Sequence, residues 1–341
     1  MKNPIRCGKV LITKEVTLLL TNDVKRFLLN GQSASEGLDS KEKNLRHAYH
    51  RWQLPSLQRL NIGHPDGFLN WFIGLIEGDG LFYFNKTGAE RPTWVFSLKI
   101  SQSNYNLKLL AYIKKKLKCG SVKPSGINSS QFYLRNPLLL HFFLLSILPD
   151  NPFLTRAKAW QFLCFKKALD IYVRAQTTGI PSRQERDVLL DQIKEQSRSI
   201  PSTFKITHPQ NDYSYPNLGW LIGFTEAEGS FFLDLKKKNL LVHAVSWVQK
   251  DEKELLEAIG YKLGIKAKVF ECQKEDFRLY KLVTDSASTI LNIIPLFEGK
   301  MKGMKAVEVR KWARSFRKAR GNFKVLSKLQ YTLRQAKKHC S

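Results

Sequence analysis

Residues 71–80 read WFIGLIEGDG, and residues 220–229 repeat the pattern as WLIGFTEAEG. In each copy a small residue recurs four positions on, as Gly74 and Gly78 and again as Gly223 and Ala227. Residues four apart lie on one helical face, and bulky apolar residues surround them on nearly every side, which is typical of a buried helix. The two stretches therefore predict two buried helices whose small residues allow another backbone to approach closely.

Each predicted helix ends on an acidic residue followed by glycine, Asp79–Gly80 and Glu228–Gly229. Glycine here is the expected left-handed C-terminal cap. A carboxylate in the last turn faces the negative end of the helix dipole, so helix stability does not explain the acids. One interpretation is two unrelated buried helices with polar ends. The other is that the helices pack about a two-fold axis, so that Asp79 and Glu228 meet as oxygen ligands for a divalent cation.

Aligned as FIGLIEGDG (72–80) and LIGFTEAEG (221–229), the two stretches resemble the paired motifs of the LAGLIDADG homing endonucleases. The metal-binding acid of that family is the eighth letter, which corresponds to Asp79 and Glu228. The resemblance implies an α+β fold of two pseudo-symmetric αββαββα repeats. In such a fold the antiparallel sheets form a DNA-binding saddle, and the paired motif helices lie at the interface.

The motifs depart from the commonest family pattern at three positions. The sixth letter is Glu77 and Glu226 instead of Asp, and Thr225 replaces an aliphatic residue. The resemblance covers roughly residues 65–320. It implies a monomeric endonuclease that uses Mg²⁺ to cut both strands of a long DNA target and leaves short 3′ overhangs.

Composition agrees with a nucleic-acid partner. The 341 residues suffice for two compact units, and 56 Lys and Arg against 29 Asp and Glu give a charge of +27. Such an excess favours a polyanion over a membrane surface, with a merely soluble basic protein as the alternative. The five cysteines lack C-x-x-C spacing, which argues against a zinc module or a disulfide framework. Neither a membrane span nor a signal peptide is expected.

A near-constant offset relates the two halves of the chain, which indicates a duplicated unit. Its values are 149 for Asp79/Glu228, 147 for Gln102/Gln249 and Lys158/Lys305, and 146 for Leu109/Leu255 and Pro149/Pro295. The predicted organisation is an N-terminal extension at 1–60, a first repeat at 61–180, a linker at 181–216, a second repeat at 217–320 and a basic C-terminal tail at 321–341.

Each repeat is predicted to run helix, two strands, helix, two strands, helix. In the first repeat we expect helices near 68–79, 104–117, 137–148 and 153–175, and strands near 81–87, 93–102, 120–125 and 130–136. Phe96, Leu98 and Ile100 alternate with polar residues, so one sheet face is apolar and the other polar. The linker shows one helical patch at 186–193, and apolar spacing from Val307 to Phe323 predicts a further helix.

Phosphodiester hydrolysis needs a positioned water and stabilisation of the developing charge on the phosphate oxygens. Asp79 and Glu228 supply metal-binding oxygens that fit Mg²⁺. The family resemblance adds backbone carbonyls and, beside each site, one Gln and one Lys that order the water network. The residues that match are Gly78 and Ala227 for the carbonyls, Gln102 with Lys158 in the first half, and Gln249 with Lys305 in the second; Arg156 is the alternative to Lys158.

Sequence specificity is expected from the polar sheet faces, laid along the major groove, where all four base pairs can be distinguished. Alternation and resemblance give the candidates Tyr83, Asn85, Ser97, Lys99, Lys123, Gln131 and Arg135 in the first half and Asp234, Lys236, Lys268 and Lys281 in the second. Because the two faces differ, the target should be long and asymmetric.

Other chemistries lack their motifs: the sequence has no dinucleotide-binding loop, no phosphate-binding loop and no histidine–metal cluster. The alternative from another functional class is an intron RNA maturase on the same scaffold, although both acids are intact. An organelle, mitochondrion or chloroplast, is the expected location if the chain is encoded in an organellar intron; otherwise the reduced cysteines indicate an intracellular protein.

Overall fold

The computed structural model describes residues 67–88, 92–144, 148, 152–209, 211–274 and 277–338. The chain divides into one compact unit at 1–54 and another at 55–341. The first unit lies outside the described residues, as does the predicted N-terminal extension at 1–60, so every described residue belongs to the second unit. Among the described residues, no helix has both the length and the apolar character needed to span a membrane.

The second unit contains two halves with the same order of elements. The first half comprises α1 (Phe68–Asp79), β1 (Gly80–Thr87), β2 (Thr93–Ser103), α2 (Leu107–Leu117), β3 (Ser121–Pro124), β4 (Ser129–Leu134), α3 (Pro137–Phe142), α4 (Arg156–Thr178) and α5 (Arg183–Gln196). The second half comprises α6 (Leu218–Glu228), β5 (Ser230–Lys237), β6 (Leu240–Lys250), α7 (Lys253–Lys262), β7 (Phe270–Lys274), β8 (Phe277–Thr284), α8 (Ala287–Phe297), α9 (Lys305–Ala319) and α10 (Phe323–Lys338). The predicted α+β fold of two related halves is confirmed.

Each half forms one antiparallel four-stranded sheet, in the order β1-β2-β4-β3 and β5-β6-β8-β7. Alternation decides the faces: Phe96, Leu98 and Ile100 of β2 are fully buried against the helices. The opposite side of each sheet is its open face. The open face of the first sheet carries Leu81, Tyr83, Asn85, Val95, Ser97, Lys99, Ser101, Ser121, Lys123, Ser129, Gln131 and Tyr133. The open face of the second sheet carries Ser230, Phe232, Asp234, Val242, Ala244, Ser246, Val248, Lys250, Phe270, Cys272, Leu279, Lys281 and Val283.

The motif helices α1 and α6 pack against each other through their small residues. A Cβ atom added to Gly74 would lie 2.0 Å from the carbonyl oxygen of Trp220, and one added to Gly223 would lie 1.8 Å from that of Trp71. Each glycine therefore receives the backbone of the opposite helix, and no other residue type fits there. The contact relates the two halves symmetrically.

The glycines that follow the motif acids have a different structural reason from the one expected. Gly80 has φ −85° and ψ 150°, and Gly229 has φ −74° and ψ 144°, so both are extended and the predicted left-handed caps are wrong. A Cβ atom on Gly80 would lie 2.7 Å from the carbonyl oxygen of Ile76, and one on Gly229 would lie 2.4 Å from Cγ2 of Thr225. Lack of space, not backbone conformation, requires glycine where each helix turns into its first strand.

The linker and the tail each contribute a helix that borders an edge strand. In α5, Lys194 donates to the carbonyl of Phe84 at 3.0 Å, and in α10, Gln330 donates to the carbonyl of Leu233 at 2.8 Å. Phe84 and Leu233 are 149 positions apart, so the two helices meet equivalent edge positions. Leu326 of α10 is fully buried against the second sheet. The duplication therefore extends into segments that were predicted as linker and tail.

Candidate active site

Asp79 and Glu228 end the two packed motif helices and lie at the contact between the halves. The residues before them, Gly78 and Ala227, meet across the interface: a Cβ atom on Gly78 would lie 2.5 Å from that of Ala227 and 3.0 Å from Oε1 of Glu228. The small residue of each motif thus lets the two acid-bearing helix ends approach each other.

The two carboxyl groups occupy a partly buried site in which negative charge is disfavoured. Burial raises the pKa of Asp79 to about 6, and the charge of Glu228 adds to the rise. Burial also raises the pKa of Glu228, while the charges of Lys305 and Lys158 oppose the change. Like charges that share a desolvated site repel, and a cation bound between them would relieve that repulsion.

Each acid is held by the glutamine expected from the sequence. Gln102 donates from Nε2 to Oδ2 of Asp79 at 2.6 Å, and the side chain of Gln249 hydrogen-bonds Glu228. Both glutamines lie at the ends of the second strands of their sheets, on the side that faces the helices. They orient the carboxylates, while their role in catalysis stays a prediction.

The two lysines also lie beside the helix ends. Lys158 of α4 donates to the carbonyl oxygen of Gly80, and its pKa is lowered by burial against the opposing charges of Glu77 and Asp79. Lys305 of α9 donates to the carbonyl oxygen of Gly229 at 2.6 Å. Arg156, the alternative to Lys158, instead donates to the carbonyls of Phe204 and Pro201 in the linker. The geometry therefore favours Lys158 over Arg156.

The donors fit a hard cation that keeps part of its hydration shell. Asp79 and Glu228 offer carboxylate oxygens, and the described residues contain no group of three or more His, Cys, Asp or Glu that could enclose a metal. Two carboxylates leave further coordination positions of a hard cation for water and phosphate. Of the two backbone carbonyls predicted to assist, that of Ala227 accepts a hydrogen bond from Lys305 at 3.4 Å.

The sixth-letter glutamates have a structural function that the motif alone did not reveal. Glu77 is buried and accepts hydrogen bonds from the backbone N–H groups of Leu154 at 2.8 Å and Thr155 at 2.9 Å, immediately before α4. It also accepts from the indole of Trp220 in the opposite half at 3.3 Å. Because α4 carries Lys158, Glu77 fixes the start of the helix that supplies the lysine.

Glu226 makes the equivalent contacts in the second half. Its carboxylate accepts from the backbone N–H groups of Lys302 at 2.9 Å and Gly303 at 2.5 Å, just before α9. The indole of Trp71, from the first half, donates to it at 2.9 Å. Glu226 therefore positions the start of the helix that carries Lys305.

Asn106 and Glu252 are two further positioning residues that the sequence did not reveal. Asn106 donates from Nδ2 to Oε1 of Gln102 at 2.6 Å, and its side-chain Oδ1 accepts the backbone N–H of Met304 at 2.8 Å. Glu252, 146 positions later, accepts the backbone N–H of Arg156 at 2.6 Å. Each half thus holds the start of the lysine-bearing helix of the other half.

Most residues predicted to contact DNA lie on the open faces or beside them, at least partly exposed: Tyr83, Asn85, Lys99, Lys123, Gln131, Arg135, Asp234, Lys236, Lys268 and Lys281. Lys99 places its ammonium 3.7 Å from the ring centre of Tyr83, and Arg135 places its guanidinium 4.5 Å from that of Tyr133. Their contacts with DNA stay predictions.

Ser97 is the exception among the predicted DNA contacts. It lies on the open face but is fully buried, directly opposite Tyr83 in the strand register. The ring of Tyr83 and the Lys99 ammonium above it occupy the surface at this position. The prediction of a base contact by Ser97 is therefore corrected, because its side chain is fully buried and cannot reach a base.

Comparison with known proteins gives matches across both halves. A family model described as LAGLIDADG endonuclease matches residues 72–169 and 221–316. The probable intron-encoded endonuclease Cox1-I1b of Schizosaccharomyces pombe is 32% identical over 276 residues, which cover 79% of this chain and 69% of that protein. The probable intron-encoded endonuclease 4 of Neurospora crassa is 25% identical over 302 residues, which cover 81% of this chain and 45% of that protein.

Solved structures show the same fold. The meganuclease I-SmaMI bound to uncleaveable DNA matches with a TM-score of 0.61 and 20% identity, and the match covers 77% of this chain and 94% of that one. I-GzeII in complex with its DNA target matches with a TM-score of 0.61 and 19% identity, over 76% of this chain and 96% of that one.

Proposed function

Because the chain belongs to the LAGLIDADG endonuclease family, we propose that it is a site-specific homing endonuclease that cuts both strands of a long, asymmetric DNA target. One observation carries the proposal: the two motif helices pack so that Asp79 and Glu228 share one partly buried site, each with a glutamine and a lysine beside it. A protein that only binds nucleic acid needs neither acid.

Asp79 and Glu228 would hold the divalent cation, which we propose to be Mg²⁺. When bound, this ion stabilises negative charge on the phosphate oxygens and lowers the pKa of a coordinated water. Gln102 and Gln249 orient the carboxylates and keep their oxygens directed at the site. Support for a metal comes also from I-SmaMI, whose structure bound to uncleaved DNA was determined in the presence of calcium ions.

The lysines supply fixed positive charge next to the two acids. Lys158 and Lys305 each bond a carbonyl at the turn from motif helix to first strand, so their positions are set before DNA binds. Positive charge placed in advance where a phosphate must lie stabilises the charge that develops during hydrolysis. The chain carries two such sets of acid and lysine, one for each DNA strand. A monomer is therefore sufficient to cut both strands.

Three finer features also belong to the proposal. Short 3′ overhangs are expected from the family resemblance. The names of both curated relatives describe them as intron-encoded, which supports an intron-encoded origin for this chain. If that intron lies in an organellar genome, the protein acts in that organelle.

The proposal is tested with a library of randomised DNA duplexes, incubated with the protein in Mg²⁺ to select cleaved sites and in Ca²⁺ to select bound ones. We expect Asp79→Asn and Glu228→Gln each to lower cleavage of the selected site at least about a hundredfold while DNA binding is retained. Asp191→Asn is the matched control, because Asp191 is an exposed acid paired with Lys86 away from the site.

Two results would contradict the proposal. Cleavage that survives both substitutions would remove the two acids from the reaction. Binding of intron RNA without any cleavage of DNA would favour the maturase alternative.

A further inference from the structure

The open faces of the two sheets differ in chemistry. The first is mainly polar, whereas the second carries a patch of partly exposed apolar side chains. This apolar patch consists of Phe232, Val242, Val248, Phe270, Leu279 and Val283. Partly exposed apolar side chains on one sheet face that has no further layer described over it indicate a surface used for recognition.

The strand register shows which residues occupy equivalent positions on the two open faces. In the first sheet Gln131 lies between Ser101 and Lys123, and in the second Lys281 lies between Val248 and Phe270. One row further, Tyr133 opposite Lys99 corresponds to Val283 opposite Ser246. Three polar residues of the first open face, Ser101, Lys123 and Tyr133, thus correspond to apolar residues on the second. Two equivalent positions on the second face stay polar, Lys281 and Ser246.

The cations near this patch are partly engaged. Lys236 pairs with Asp234 at 3.0 Å and with Asp285 at 2.9 Å, and Lys281 lies 6.0 Å from the ring centre of Phe270. Lysine and arginine read guanine through its two major-groove acceptors. Lys281 can read guanine, whereas the side chains beside it, Val248 and Phe270, offer only apolar surface.

In the major groove only thymine presents an apolar group, its C5 methyl. We propose that the apolar patch recognises thymine methyl groups, so that the half of the DNA target under the second sheet is rich in thymine. The inference rests on the proposed function, since it assumes that DNA lies along the open faces. The inference predicts that the two half-sites differ in thymine content.

Charge supports DNA as the occupant over an apolar protein partner. The patch is bordered by Lys250 and Lys268, both exposed, within a chain of net charge +27. A phosphate backbone would contact this rim while the bases face the patch. RNA lacks the thymine methyl group, so the affinity for an RNA duplex of the selected sequence, measured beside the DNA duplexes, separates DNA from RNA.

The test replaces thymine by deoxyuridine, which removes one methyl group and leaves every hydrogen-bonding atom in place. Binding sites are first selected from the randomised duplex library in Ca²⁺, and affinities are then measured for duplexes with deoxyuridine in one half or the other. We expect roughly three- to fourfold weaker binding for each contacted methyl removed under the second sheet. Deoxyuridine in the other half should have little effect.

Substitutions in the apolar patch test whether the patch causes the loss of affinity on deoxyuridine replacement. With Val248→Ala and Val283→Ala together, the penalty for deoxyuridine in that half-site should shrink at the positions these valines contact, because two of the six apolar side chains of the patch are truncated. Val95→Ala is the matched control: it is a partly exposed valine on the open face of the first sheet, and the penalty should persist.

The outcomes separate this inference from the proposed function. Sites that are bound and cleaved in Mg²⁺, yet show no thymine enrichment in either half and no deoxyuridine penalty, would overturn the inference and leave the endonuclease intact. Failure to bind any duplex, or binding of RNA alone, would overturn both.

Discussion

At the residue scale, the acids could be found from sequence because each occurs in the same context twice. Asp79 and Glu228 end two stretches of the same pattern, and Gln102 and Gln249 follow them at similar spacings of 23 and 21 positions. Asn106 and Glu252 could not be found in this way. Their significance lies in hydrogen bonds to Met304 and Arg156, which are 198 and 96 positions away along the chain.

His243 is a buried titratable group in the core of the second half. It faces the helices from β6, and its Nε2 lies 2.8 Å from Oγ of Ser315. That hydroxyl donates to the carbonyl of Trp312, so its oxygen accepts the Nε2 proton of a neutral imidazole. Burial lowers the pKa of His243 to about 4, and the charge of Arg320 acts in the same direction.

We expect acid to destabilise the protein through His243. The imidazole takes up a proton near pH 6.5 when unfolded and near pH 4 when folded, so the unfolded state binds more protons in between. The free energy of unfolding should therefore fall by about 2 kcal/mol from this group between pH 7 and pH 4.5. Urea unfolding at pH 7 and pH 4.5 measures this loss for the wild type and for His243→Gln. An equal pH dependence of the free energy of unfolding in the two proteins would contradict the contribution assigned to His243.

At the element scale, periodicity located most helices and strands closely. The first motif helix was expected near 68–79 and spans Phe68–Asp79, and the strand expected near 81–87 spans Gly80–Thr87. The helix expected from the spacing between Val307 and Phe323 is in fact two helices, because Gly321 adopts a φ of +81° between them. Linker helix α5 is longer than its predicted core of 186–193, since Ser182 and Glu185 form a capping box.

The pairing of α1 with α6 depends on two glycines that cannot be replaced. We expect Gly223→Ala to destabilise the protein by several kcal/mol, because the new methyl group would lie 1.8 Å from the carbonyl oxygen of Trp71 and force the helices apart. Urea unfolding and DNA cleavage measure the effect, and cleavage should fall together with stability because the acids separate.

Gly260 provides the matched control for this substitution. It lies in α7, is buried, and a Cβ atom there would come no closer than 3.4 Å to a neighbour. Alanine should therefore be tolerated and could stabilise the helix by up to about 1 kcal/mol through its higher helix propensity. Equal destabilisation by both substitutions would show that close approach is not what selects glycine at 223.

At the scale of the whole molecule, the two halves are joined by reciprocal hydrogen bonds around the active site. Trp71 bonds Glu226, Trp220 bonds Glu77, and Asn106 reaches the backbone of Met304. The near-constant offset between matching residues indicated from the sequence that the chain contains two repeats. It could not show that each repeat holds part of the machinery of the other, because that depends on the docked arrangement.

Asn106 offers a test of this coupling. Asn106→Ala should free Gln102 and leave the N–H of Met304 without its acceptor, so that the acid of one half and the lysine-bearing helix of the other both lose support. We expect cleavage to fall about tenfold with little change in DNA affinity, as is usual for residues that orient metal ligands. Single-turnover cleavage and equilibrium binding on the same duplex measure the cleavage rate and the DNA affinity separately. Unchanged cleavage would contradict the positioning role of Asn106.

The dissimilar open faces on one covalent chain have an evolutionary consequence. In a dimer of identical subunits, a change that improves contact with one side of a target alters the other side as well. Here either sheet can acquire a new preference while its twin keeps the old one. If DNA lies along both open faces, as proposed, the protein can follow a drifting target sequence by single steps, because one half preserves affinity while the other changes.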